Sequence, residues 1–286
     1  MADEKNKTEK YTLYLVGTPI GNLADISERA KKVLSEVDFI AAEDTRNSLR
    51  LLSSLGIKKE LVSYHEHNKA SAGPRIIERI KSGESCALVT DAGMPAISDP
   101  GEDLVRLAAD EGVRASVIPG PSAVVSALAL SALPTRRFTF EGFLSANARE
   151  RADSLTALKH EMRTMVFYEA PHKLRATLGD MLSAFGKTRR ISLCRELTKL
   201  NEEIIRTTLS EAVEYYEQND PRGEYVLVLD GASASEIASE NPLLDLTPIE
   251  HVDHYVSLGM SKMDATKAAA KDRGMSKSEL YKLINT

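Results

Sequence analysis

"LVTDAGMPAISDPGEDLV" (Leu88–Val105) decides the fold class. Its first residues close an apolar run that begins near Cys86, as a strand would. Its last residues open a helix. Asp99 suits the cap, Pro100 the first helical position, and Glu102 and Asp103 the positive end of the helix dipole. The loop between is long for a strand-to-helix connection and carries Gly93 and Pro95. Outward from it the same alternation repeats. Strands are predicted at Tyr11–Gly17, Asp38–Asp44, Leu61–Tyr64, Ser85–Thr90 and Arg114–Gly120. A capping box framed by Asp25 and Glu28 opens a helix that runs to Glu36. Further helices are expected at Arg46–Leu55 and Ala72–Lys81. This alternation predicts an α/β unit with a mostly parallel sheet covered on both faces.

Beyond Gly120 the texture changes. "SAVVSALALSAL" (Ser122–Leu133) reads as a buried helix and "RRFTFEGF" (Arg136–Phe143) as a strand. A polar helix is expected over Ala148–Glu161. Four more strand patterns and helices at His172–Phe185 and Ser210–Glu217 make a second α/β unit. Its strands crowd together in sequence, so mixed pairing is expected. The division is a polar tail at 1–10, α/β units at 11–120 and 121–231, a linker at 232–245, and helices at 246–286. Linker composition is strongest over Ala232–Pro242. The last region reads as helix–turn–helix, with Gly274 at the turn and Ser276 as the final cap.

A chain of 286 residues suits about two domains, and its net charge of −5 does not advertise a nucleic-acid binder. The polar start carries no secretion pattern, and no run approaches the roughly 18 apolar residues of a membrane span. The two cysteines, Cys86 and Cys194, sit in strand-like runs and read as buried reduced thiols. A soluble cytoplasmic protein is expected. There is no G-x-G-x-x-G, no phosphate-binding G-x-x-x-x-G-K-[ST] and no G-x-S-x-G. "YHEHN" puts His65 and His67 near each other, but a solvated or substrate-facing loop is the better reading than a metal site. His251 and His254 read as surface residues. No metal is expected.

Four strand-end loops remain: Val16–Ile26, Ala41–Ser48, the opening stretch, and Ile118–Ala123. In α/β sheets ligands bind at the carboxyl ends of strands, and Gly and Pro there let bare backbone approach them. "LYLVGTPIGNLADIS", "AAEDTR", "LVTDAGMPAISDPG", "VIPGPSA", "FYEAPHKL", "RELTKLNEE" and "GEYVLVLDG" occur in this order. Together they resemble the tetrapyrrole-methylase-like (class III) methyltransferases, over about residues 11–231 and the helical tail. The likeness is greatest to the branch that methylates the ribose 2′-oxygen of a cytidine in the decoding region of 16S, small-subunit ribosomal RNA. Met94 departs from it, standing where that branch is expected to carry Thr.

The resemblance implies two α/β domains with an S-adenosylmethionine cleft between them, a homodimer, and small-subunit ribosomal RNA as partner. It places the cofactor against Ile20, Gly93, Met94 and Ile97, then Ser122 and Ala123, then Tyr168 or Glu169, and Leu197. A ribose hydroxyl is a poor nucleophile, so a general base would help. Asp44 is the leading candidate, with Glu43 and Glu169 behind it and Glu196 also at a strand end. Arg46, Arg195 and Lys199 could hold phosphate or pair with these carboxylates. Basic clusters at 136–137, 149–151 and 187–190, and six Lys and Arg against three Asp and Glu in Ser257–Thr286, could meet RNA. The competing readings are a tetrapyrrole-precursor C-methyltransferase and a non-enzymatic nucleic-acid-binding regulator.

Overall fold

The computed structural model describes residues 7–239 and 242–284. Most of the expected tail at 1–10 and part of the expected linker lie outside the described residues. The first unit is a five-stranded sheet, all parallel. Its strands are β1 (Thr12–Val16), β2 (Phe39–Ala42), β3 (Glu60–Ser63), β4 (Cys86–Val89) and β5 (Arg114–Ile118), in the order β3-β2-β4-β1-β5. Helices α1 (Glu28–Glu36), α2 (Thr45–Ser54), α3 (Lys69–Lys81) and α4 (Gly101–Asp110) cover both faces. One face packs Val33, Leu34 and Leu52 on Ile40 and Val89. The other packs Ile76, Ile77 and Leu104 on Phe39 and Leu88. The inner strands β2 and β4, buried on both sides, are continuously apolar, as a covered parallel sheet favours, whereas the edge strands β3 and β5 are partly exposed and carry polar residues.

Two caps differ from expectation. Ser27, not Asp25, caps α1 by accepting from the Ala30 amide at 3.1 Å. Asp25 instead closes a 3₁₀ turn, Leu23–Asp25, capped by Asn22. Pro100 stands at the cap of α4 rather than inside it. Asp99 is drawn back into the loop, accepting from the amides of Ala96, Ile97 and Gly101 at 3.0, 3.1 and 2.8 Å.

Helix α5 (Ala123–Leu130) opens the second unit. It is half-buried rather than buried: Val124, Ala127 and Leu128 face inward, whereas Val125 is 58% and Leu130 38% exposed. The second sheet holds β6 (Phe138–Phe143), β7 (Thr164–Glu169), β8 (Arg190–Arg195), β9 (Glu203–Thr208) and β10 (Tyr225–Leu229), in the order β6-β7-β10-β8-β9. β6 pairs parallel with β7 and the other pairs are antiparallel, so the pairing is mixed as expected. Helices α6 (Ala148–Ala157), α7 (Pro171–Phe185) and α8 (Leu209–Gln218) cover one face. The other face packs on α5 and on Ile20 of the first unit. The two units are therefore joined through a shared apolar layer. Cys86 and Cys194 are free and buried. The basic clusters are partly consumed: Arg151 binds Asp180 at 2.6 Å, and Arg190 binds Asp230 at 2.6 Å.

The expected linker contains α9 (Ala234–Ser239). "SASE" is a capping box that its composition masks: Ser233 N–H donates to Glu236 (2.6 Å), and Ser233 Oγ accepts from the Glu236 amide (3.1 Å). Then come α10 (Pro248–Ser257), α11 (Lys262–Asp272) and α12 (Lys277–Ile284), packed chiefly on one another around Val252, Ala265, Ala269 and Leu280. Gly274 turns the chain at φ +64, and Ser276 caps α12 as expected. His254 is exposed, but His251 is fully buried, contrary to expectation. Its Nδ1 accepts from Arg273 Nε (3.1 Å) and its Nε2 lies 3.2 Å from Asp272, so polar partners replace water. No helix among the described residues is long and apolar enough to cross a membrane.

Candidate functional site

The loops after β1, β4 and β5 converge. Thr18 and Gly93 exchange backbone hydrogen bonds at 2.9 and 3.1 Å, stitching the first loop to the third. Gly17 and Gly120 touch so closely that a Cβ on Gly17 would lie 2.7 Å from the Gly120 Cα. Glycine is required there because two strand ends meet backbone to backbone. The second unit closes the opposite side, and between the units lies a cavity of about 570 Å³. That size suits a drug-sized or cofactor-sized ligand.

Every residue expected to touch the cofactor lines this cavity. Ile20, Gly93, Met94 and Ile97 come from the first unit, and Ser122 and Ala123 from the start of α5. Tyr168, Glu169 and Leu197 come from the second unit. The chemistry fits S-adenosylmethionine. Ile20, Met94, Ile97 and Leu197 offer apolar walls. Gly93, at φ +86, offers bare backbone, and a Cβ there would point to Ile20 Cγ2 at 3.3 Å and fill the cradle. Ser122, capping α5, spends no side-chain bond on its own helix and leaves its hydroxyl for a ligand. Tyr168 is fixed edge-on by Phe140, with ring centroids 5.0 Å apart.

The catalytic candidates divide. Glu43, Glu169 and Lys199 line the cavity; Asp44 and Arg46 do not. Asp44 caps α2 through the Arg46 amide (2.8 Å) and binds the Arg46 guanidinium (2.6 Å). The hydrogen bonds from Arg46 hold its carboxyl at about 2, where it is a weak proton acceptor. Arg46 itself reaches into solvent, 85% exposed. Glu169 is buried, accepting from the Ala170 amide (2.8 Å) and Thr177 Oγ1 (2.5 Å) at the start of α7. Lys199 Nζ is shared between Glu196 and Glu224, each at 2.8 Å.

The residue that sequence reasoning passed over is Asp91, inside the opening stretch itself. It lines the cavity beside Glu43. Its oxygens accept from the Asp44 amide (3.2 Å) and from Asn47 Nδ2 (3.0 Å). No cation forms an ion pair with it among the described residues. The residue is open to the cavity, yet the groups crowding its carboxyl strip enough water to push its pKa up, and the charges of Glu43 and Asp44 add to this. Glu43 is held by Thr90 Oγ1 at 2.6 Å. Phe143 and His172 also line the cavity and were not anticipated. His65 and His67 lie outside it, with ring centroids 6.0 Å apart. No group of three His, Cys, Asp or Glu among the described residues could hold a metal ion.

A parallel and a mixed α/β unit with a cofactor-sized cavity between them define a two-unit methyltransferase architecture. Residues 12–213 match the Tetrapyrrole (Corrin/Porphyrin) Methylases, and the chain belongs to this S-adenosylmethionine-dependent family. Among its relatives is the ribosomal RNA small subunit methyltransferase I of Halalkalibacterium halodurans, 46% identical over 281 residues, 98% of this chain and 97% of that one. The protein of that name from Bacillus subtilis is 46% identical over 276 residues, covering 96% and 94%. That from Escherichia coli O157:H7 is 40% identical over 272 residues, covering 94% and 93%. Solved structures share the fold at lower identity. A cobalt precorrin-4 methyltransferase aligns at TM-score 0.57 and 19% identity, covering 77% of this chain and 95% of that one. Diphthine synthase aligns at 0.59 and 16%, covering 77% and 90%.

Proposed function

We propose that this chain transfers a methyl group from S-adenosylmethionine to small-subunit ribosomal RNA, at the ribose 2′-oxygen of a cytidine in the decoding region. The observation that carries this is the 46% identity extending over 98% of the chain, tail included, to a relative of that name. The solved structures it resembles, at 16–20% identity, speak for the fold alone.

When bound, S-adenosylmethionine supplies a methyl group already activated on a sulfonium. The chain must then orient the acceptor, exclude water and take a proton. Gly93, Met94 and Ile97 with Ser122 and Ala123 hold the cofactor from the first unit and α5; Tyr168 and Leu197 close over it from the second. Of the carboxylates lining the cavity, Asp99 is spent on three amides, Glu169 on α7, and Glu196 and Glu224 on Lys199. Asp91 and Glu43 remain, neither ion-paired among the described residues, and Asp91 is the more exposed of the two. Asp91 takes the proton from the ribose hydroxyl as the new bond to carbon forms, and its raised pKa suits it to that step. The Asp44 amide supports this carboxylate from behind. Arg46, exposed at the rim, is free to meet phosphate once it leaves Asp44.

The protein works in the cytoplasm as a homodimer, for which the exposed Val125 and Leu130 face of α5 offers apolar surface. The tail's Lys and Arg excess contacts ribosomal RNA phosphate. Purified small subunits lacking the modification, incubated with labelled cofactor, should gain one methyl at one cytidine ribose, located by mass spectrometry. Labelling of a tetrapyrrole precursor instead, with none on the subunit, would overturn this reading.

A further inference from the structure

A second cavity, of about 640 Å³, adjoins the first and shares Glu196 as a wall. It lies between the end of β8 and the end of α8. Its lining is chemically unusual for a surface hollow. Arg195 and Arg222 are balanced by Glu196 and Asp220, so it is no anion trap. Asn201 and Gln218 add donors and acceptors of both signs, and Tyr215 adds an aromatic face that is 41% exposed.

The parts are not all used up by the fold. Asp220 is bound by Arg175 at 2.8 Å and Glu196 by Lys199 at 2.8 Å. Arg195 reaches Glu203 only at 3.3 Å, and its Nε is buried without a partner. The guanidinium of Arg222 forms no ion pair among the described residues. Its backbone amide is tied to Tyr225 Oη at 3.2 Å, so the side chain projects from an anchored turn. A buried guanidinium nitrogen left unsatisfied is costly unless a ligand or a shift completes it.

We propose that this cavity holds the base and ribose of a nucleotide flanking the methylated one, on single-stranded RNA. A charge-balanced hollow dense in hydrogen-bonding groups, with one exposed ring, matches a nucleobase, which offers donors, acceptors and a face for stacking. An apolar ligand would leave the amides and guanidinia unpaired, and a bare anion would meet Glu196 and Asp220. Sharing Glu196 with the cofactor cavity places the flanking nucleotide one wall away from the reacting ribose. The inference rests on the RNA reading above.

Tyr215 and Arg222 are exposed and lie outside the catalytic and cofactor machinery, so their replacement leaves the fold intact. With the full chain loaded with cofactor, Tyr215→Ala and Arg222→Ala should each raise KM for small subunits about tenfold. The kcat and the affinity for S-adenosylmethionine should stay unchanged, and Tyr215→Phe, which keeps the ring, should behave as wild type. Fluorescence anisotropy with a labelled single-stranded oligoribonucleotide separates this from the function itself. If wild type methylates no small subunits but binds the oligonucleotide, and both alanine variants bind it more weakly, the cavity assignment stands and the proposed function falls. Equal KM and equal oligonucleotide binding in wild type and both variants overturn the assignment. So does a wild-type protein that neither methylates subunits nor binds the oligonucleotide.

Discussion

Two loops face each other across the cofactor cavity, one after β4 and one after β8, and they hold bent backbone by opposite means. The β4 loop puts Gly93, Ala96 and Ser98 at φ +86, +67 and +65. It is pinned by a single carboxylate, Asp99, accepting three amides. The β8 loop puts Glu196 and Thr198 at φ +51 and +66. It is pinned by a cation, Lys199, between Glu196 and Glu224. Left-handed conformations at residues with side chains are costly and cluster at functional sites. In the first loop the pinning carboxylate, though it too lines the cavity, is spent on the loop's own amides, and bare backbone is left at Gly93. In the second the ionic clasp forms part of the cavity wall. One loop is built to be touched closely by a ligand, the other to stand as a charged partition between two cavities.

The largest effect should come from Asp91, the exposed carboxylate of the β4 loop that lines the cavity. Asp91→Asn should slow single-turnover methyl transfer by about 10²–10⁴, the usual worth of a general base, with cofactor affinity unchanged. Asp44→Asn should leave the transfer step far less affected and instead loosen the start of α2. If the two variants exchange these behaviours, Asp44 is the base and its ion pair with Arg46 must open in the complex.

Next in size is the bare backbone itself. Gly93→Val should weaken S-adenosylmethionine binding at least about tenfold by calorimetry, because φ +86 strains a branched residue and its side chain enters the cradle beside Ile20. Unchanged affinity in a folded variant would mean that this loop does not touch the cofactor.

Much of this contrast was open to sequence reading, and the remainder has physical reasons for staying hidden. Gly93 and Pro95 announce a loop that departs from regular backbone, and hydrophobic runs with short polar breaks announce the parallel sheet. Ala96, Ser98, Glu196 and Thr198 announce nothing, because their residue types do not favour left-handed backbone and what holds the loops is the Asp99 and Lys199 clasps. Asp91 escaped notice because a carboxylate is judged by what surrounds it: Asp44 stands in a more conspicuous charged motif, but Arg46 two residues on consumes it. His251 looked like a surface residue since its partners, Asp272 and Arg273, lie a helix away. The linker misled by composition, since Ser, Ala and Glu suit a capped helix as well as a coil.

Stability should separate the loops more gently. Asp99→Ala leaves three amides without their acceptor and should cost about 1–2 kcal/mol in denaturant unfolding. Lys199→Met removes partly exposed ion pairs and should cost less than about 1 kcal/mol. Equal losses would mean that the ionic clasp holds as much as the amide clasp does.

The smallest and most specific difference should appear on acidification. The hydrogen bond from Lys199, helped by the Glu224 amide and the charges of Lys199 and Arg195, holds the Glu196 carboxyl below its usual value of 4.5 against the opposing effect of burial. The folded loop thus favours the charged form. Its contribution to stability is complete above about the unfolded value and is lost as the pH falls through the lower, folded one. Glu224 is the other acid on the same ammonium and should slow the loss without reversing its direction. The reporters are two amides of this loop: Glu196 N–H, which donates to Glu224 O, and Lys199 N–H, which donates to Glu196 O, each at 3.0 Å. Hydrogen exchange, corrected for intrinsic rates, should show their protection falling below pH 4.5. Glu196→Gln should abolish that pH dependence in the β8 loop and leave the amides of Ala96 and Gly101 as in wild type. A β8 loop whose acid midpoint is the same with Gln as with Glu would show that Glu196 does not hold it, and the contrast between an amide clasp and an ionic one would then fail.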